Sequence, residues 1–129
     1  MKSIIDKYST VYCFDIYVVI NPNKTELDKH FKWAEDDSSL YSESYSELTA
    51  YTCIGVIDKS NNRECIVVIL NSLQDDEWNI NTFAHEALHV TMAILNSCKV
   101  EYSEETEEAY AYLEGYVTEC IYKTAQKHE

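Results

Sequence analysis

Residues 64–71 contain the run Ile66-Val67-Val68-Ile69-Leu70. A run so rich in β-branched residues reads as a strand. Successive side chains of a strand point to opposite faces, and this run is apolar on both. Such a strand is central in its sheet and covered on each side. Residues 48–57 read as its partner. The intervening Asp58-Lys59-Ser60-Asn61-Asn62-Arg63 is rich in turn formers, so the pair forms an antiparallel hairpin. Residues 11–20 give a further strand, in which Tyr12, Phe14, Ile16, Val18 and Ile20 make one apolar face at period two. Asn21-Pro22-Asn23 stops it. Leu27, Phe31 and Ala34 then predict a short helix over residues 25–34, and the acidic, serine-rich residues 35–47 read as a loop or weak helix.

The rest of the chain has helical period. Ile80, Phe83, Ala84, Ala87, Leu88, Thr91, Ile94 and Leu95 predict a helix over residues 80–97, capped by Asn79 or Asn81. Ala109, Tyr112, Leu113, Tyr116, Val117, Cys120 and Ile121 predict another over residues 104–123, with Ser103 as its cap. Strands first and helices last predict an α+β fold, a small antiparallel or mixed sheet packed on these two helices. The 129 residues fit a single domain spanning the chain, 1–129, large enough to bury its own core.

The chain holds 23 acidic and 10 basic residues, a net charge of −13. That surface repels nucleic acid and anionic lipid, so neither is an expected partner. It keeps a protein soluble, and it would also attract a basic partner. Cys13, Cys53, Cys65, Cys98 and Cys120 are odd in number, widely spaced and without a Cys-x-x-Cys pair. They read as free thiols of a reducing, cytoplasmic compartment. No apolar run is long enough for a membrane span, and the first residues carry charge too early for a signal peptide.

The chemistry is concentrated in His85-Glu86-Ala87-Leu88-His89. Histidines four apart on a helix project from one face, one turn apart, where both can bind one tetrahedral zinc ion. Glu86 lies beside that metal without having to bind it, placed to take a proton from an activated water. The competing reading is a pair of polar histidines on a wet helix face; Phe83, Ala84, Ala87 and Leu88 argue against it by surrounding them with core-type residues.

His-Glu-x-x-His resembles the signature of the zincin metallopeptidases. Met92 and Leu95 stand where the metzincin branch would have a glycine and a third histidine, so the resemblance is to the gluzincin branch. That branch takes a glutamate from a following helix, often within Glu-x-x-Ala. Glu108-Ala109-Tyr110-Ala111-Tyr112 matches, which makes Glu108 the implied third ligand, with Glu105 as runner-up. Ala111 and Gly115, on the face of Glu108, would let the two helices approach closely. The arrangement is similar to compact metallopeptidase-like proteins of bacteriophages and related mobile elements, and residues 83–122 carry nearly all of the likeness. The resemblance implies hydrolysis of a peptide or protein substrate with Zn2+ as cofactor. A donor for the developing oxyanion would come from Tyr112, with Tyr110, Tyr116 and His30 as alternatives, and the strand at 48–57 could pair with substrate. The alternative function is a non-catalytic, zinc-containing acidic interaction or inhibitor protein; a fourth protein ligand on the zinc would mark that case. Trp78 is expected to pack before the helix cap as a staple, His128 to be solvated, and Asp75-Asp76-Glu77 to form an acidic loop.

Overall fold

A computed structural model describes residues 3–73 and 78–128 of the chain. The acidic segment Asp75-Asp76-Glu77 lies outside the described residues. The strands are β1 (Ile4–Tyr8), β2 (Asp15–Ile20), β3 (Phe31–Trp33), β4 (Ala50–Asp58) and β5 (Arg63–Leu70). The helices are α1 (Lys24–His30), α2 (Ile80–Ser97) and α3 (Glu107–Gln126). The strands form one mixed sheet in the order β1-β2-β5-β4-β3, and the architecture is α+β. β5 is the middle strand, parallel to β2 and antiparallel to β4. Its position explains why both its faces are apolar: Ile66, Val68 and Leu70 pack under α2 and α3, and Cys65, Val67 and Ile69 pack with Leu27, Phe31 and Leu40 on the other face.

The period-two face of the second strand is present, although the strand is shorter than residues 11–20. Ile16, Val18 and Ile20 are fully buried, and Tyr12 and Phe14 pack against the same core before the strand begins. β1 was not anticipated from the sequence. Asp6 and Lys7 interrupt its apolar pattern because it is an edge strand, where charge discourages further pairing. Asp6 is used: its carboxylate accepts from Thr124 Oγ1 at 2.7 Å and from Lys127 Nζ at 2.9 Å, which ties the edge to α3.

The helix expected over residues 25–34 ends at His30, and Phe31–Trp33 turns into β3. Leu27 and Phe31 are both buried in one cluster, as their spacing required. The N–H of Phe31 still bonds the carbonyl of Leu27, so the last helical turn closes while its aromatic neighbours pair with β4. α2 spans the expected residues, and Asn79 is its cap, accepting from the N–H of Thr82 at 3.0 Å. α3 starts later than expected and Ser103 does not cap it. The Thr106 hydroxyl closes a turn, donating to the Glu101 carbonyl at 2.5 Å and accepting from the Ser103 N–H at 2.8 Å.

The buried stripe of α3 is also rotated from the expected one. Tyr110, Leu113, Val117, Cys120 and Ile121 are inside, while Tyr112 and Tyr116 are exposed. Ala111 and Gly115 are exposed too, and a Cβ added at Gly115 would meet no atom within 4 Å, so they do not form the expected close helix contact. Trp78 anchors the entry to α2 by donating from Nε1 to the carbonyls of Asn71 (3.1 Å) and Thr49 (3.3 Å). His128 is half-buried, with its ring 5.2 Å from that of Trp78, rather than solvated. All five cysteines are free, and burial pushes the thiols of Cys53 and Cys65 up to about 12. No helix among the described residues is long and apolar enough to cross a membrane.

Candidate metal centre

The core anchors of α2 are Phe83, Ala87, Val90, Thr91, Ile94 and Leu95. Their face sets the direction of everything else on the helix. His85 and His89 fall on the opposite, exposed face, together with Leu88 and Met92, so the core-type residues expected to surround them do not: Phe83 and Ala87 are buried on the other side of the helix. Leu88 is 52% exposed, so it forms an apolar rim beside the histidines and is not core. The two imidazole ring centres are 5.0 Å apart and roughly perpendicular. Two imidazoles sharing one tetrahedral zinc, each with a Zn–N bond of about 2.0–2.1 Å, have ring centres about 5 Å apart. The pair therefore has the separation of joint zinc ligands.

Glu86 is turned away from that face, towards the sheet. It is 5% exposed, and its Oε1 accepts a hydrogen bond from Thr52 Oγ1 of β4 at 2.8 Å. Alternation along β4 places Thr52 on the α2 side, opposite in direction to Tyr51 and Cys53. The carboxylate sits in a cleft of about 400 Å³ between the first turns of α2 and the start of β4, shared with His85, Asn79, Thr82, Leu48 and Ala50. β3 pairs only with Val56–Asp58, so among the described residues no strand covers Ala50–Ile54 on that side. An unpaired strand edge thus runs past Glu86 and His85.

Glu108 is on the first turn of α3 and exposed. The two helices run antiparallel: the Phe83 ring meets that of Tyr122, and Tyr110 Oη donates to the Val100 carbonyl just beyond the other end of α2. At about 1.5 Å per residue, Glu108 lies roughly 12 Å farther along the hairpin than His89. Among the described residues no three His, Cys, Asp or Glu side chains are gathered where they could hold a metal. The structure thus pairs His85 with His89, sets Glu86 on the sheet side of α2 in one cleft with His85, and keeps Glu108 apart from them, as it does the exposed Glu105 in the turn before α3.

The proposed oxyanion donors are also dispersed. Tyr112 is 76% exposed and borders a groove with Val11 and Tyr12, beside the β1–β2 connection. Tyr116 donates to the Ser9 carbonyl at 2.6 Å on the same side, Tyr110 is committed to Val100, and His30 ends α1 with its ring against Phe31. Sequence reasoning missed Thr52, whose partner is 34 residues away and which belongs to no motif. It also missed Glu114, whose Oε2 is buried without a hydrogen-bond partner and whose carboxyl is pushed up by desolvation.

No protein-family model, curated protein or solved structure matches this chain.

Proposed function

We propose that the protein is a zinc-dependent peptidase of zincin type. The observation that carries this reading is the exposed His85–His89 pair at 5.0 Å beside the buried Glu86 carboxylate. The two imidazoles would hold the ion; zinc would supply a Lewis acid that activates water near neutral pH and polarises a carbonyl. Glu86, oriented by Thr52, would take the proton from the attacking water and pass it to the leaving amine. The unpaired edge of β4 would hold an extended peptide through backbone hydrogen bonds.

The alternative, a zinc-bearing acidic interaction protein without turnover, draws support from the −13 charge. The exposure of both histidines favours the catalytic reading: a structural zinc is enclosed by four protein ligands, whereas a catalytic one takes three and water, so this open pair needs one further protein ligand rather than two. Metal analysis and peptide cleavage test both. His85→Ala and His89→Ala are expected to lose bound zinc. Glu86→Gln is expected to keep it and to lose about 10²–10⁴-fold in turnover; undiminished cleavage by Glu86→Gln would sink the mechanism. Glu108, which the resemblance makes the third ligand, is decided in the same series. Unchanged zinc affinity in Glu108→Ala is the outcome its distance favours, and a loss would mean that the α2–α3 hairpin rearranges on loading.

A further inference from the structure

We infer that the open cavity at the far end of the unpaired β4 edge, formed by Trp33, Glu35, Asp36, Ile54 and Gly55, is a subsite for a lysine or arginine side chain of an extended peptide. The inference rests on the peptidase reading for where a bond is cut, though not for the binding itself. The cavity encloses about 670 Å³. Gly55 lies three residues along β4 from Thr52, which holds Glu86. At about 3.3 Å per residue, a peptide paired with this edge brings its third residue from the Glu86 cleft to the cavity, about 10 Å away. Among the described residues no strand pairs with this edge from Ala50 to Ile54; at the cavity itself the register of β4 shifts between Cys53 and Val56, the Ala34 N–H bonds the Gly55 carbonyl at 2.9 Å, and β3 pairs with Val56. The cleft and the cavity therefore lie at the two ends of one open stretch of edge, Ala50–Ile54.

The lining selects the occupant. Trp33 and Ile54 offer an indole and an aliphatic surface, which suit the stem of a long side chain, and an indole face also attracts a cation. Glu35 and Asp36 supply two carboxylates. Asp36 is held in its charged form by Ser38, whose Oγ and N–H bond Oδ1 at 2.6 Å and 3.1 Å and draw its pKa below the ordinary value. Among the described residues no basic side chain lines the cavity, and nearby Lys32 is paired with Asp37 at 3.1 Å. The overall charge of −13 adds long-range attraction for a basic peptide and repels an acidic one.

The test separates the subsite from the chemistry. Glu86→Gln protein is titrated into two fluorescein-labelled peptides of the same alternating sequence, one with arginine and one with glutamate at the central position. The arginine peptide is expected to bind about five-fold more tightly at low salt. The preference is expected to shrink at high salt, and Glu35→Lys is expected to abolish it. Equal binding of the two peptides would overturn the subsite. In parallel, zinc-loaded wild-type protein digests a random peptide mixture. Lysine or arginine enriched about three residues from the cut supports the subsite, and cutting without that enrichment overturns it while leaving the peptidase reading intact. Absence of any cutting overturns the peptidase reading, and the binding preference of the Glu86→Gln protein then decides the cavity alone.

Discussion

At the scale of single residues, the side chain that most depends on one partner is Glu86. A carboxylate only 5% exposed needs a donor, and Thr52 supplies it from the neighbouring strand. Thr52→Val keeps the shape and the β-branched preference for a strand but removes the hydroxyl. A hydrogen bond to a charged group is worth about 1.5–3 kcal/mol. The variant is therefore expected to lose about 2 kcal/mol in urea unfolding and to lower turnover while keeping zinc, because His85 and His89 are untouched. Thr52→Ser should restore most of both. Unaltered stability and turnover in Thr52→Val would mean that water replaces the hydroxyl and that Thr52 does not position Glu86. The motif in the sequence singled out Glu86 and both histidines as candidates and placed them on one helix, since a five-residue spacing is local information. Thr52 was not legible, because its role arises only when β4 is folded against α2.

Among the elements, α2 and β5 were the most legible and α3 the least. α2 has one wide apolar face and a cap that accepts from its third residue, so period and boundary agree. α3 has tyrosines all round, at 110, 112, 116 and 122, and any of several stripes fits its sequence. Packing decides between them: Tyr110 turns inward because its hydroxyl finds the Val100 carbonyl, and Tyr112 and Tyr116 turn to the β1–β2 connection. Edge strands β1 and β3 were hidden for a related reason, since strands with one pairing neighbour tolerate charge and brevity. The observed rotation of α3 has a measurable consequence at Gly115. This residue lies mid-helix, exposed, with open space where a Cβ would be. Glycine there costs conformational entropy without serving a contact. Gly115→Ala is expected to stabilise the protein by about 0.5–1 kcal/mol in urea or thermal unfolding. Destabilisation would place Gly115 against another surface.

Across the whole molecule, charge is the dominant unbalanced quantity. All five ion pairs among the described residues use lysine: Lys7–Asp15, Lys24–Asp28, Lys32–Asp37, Lys123–Glu119 and Lys127–Asp6. With 23 acids against 10 basic residues, most carboxylates have no cation to pair with, and they repel one another across a small surface. Exposed lysine pairs are individually worth about 0–1 kcal/mol, so screening them costs little. Screening the repulsion among the remaining acids gains more, because it acts on many longer-range terms together. Sodium chloride raised from about 20 mM to about 500 mM at neutral pH shortens the Debye length from roughly 20 Å to roughly 4 Å. Thermal unfolding is therefore expected to move upward by about 3–5 °C, the shift that corresponds to about 1 kcal/mol in a chain of this size. Chloride is the salt to use, because sulfate strengthens apolar burial by a separate route. A melting temperature that falls with sodium chloride would show that the lysine pairs outweigh the repulsion.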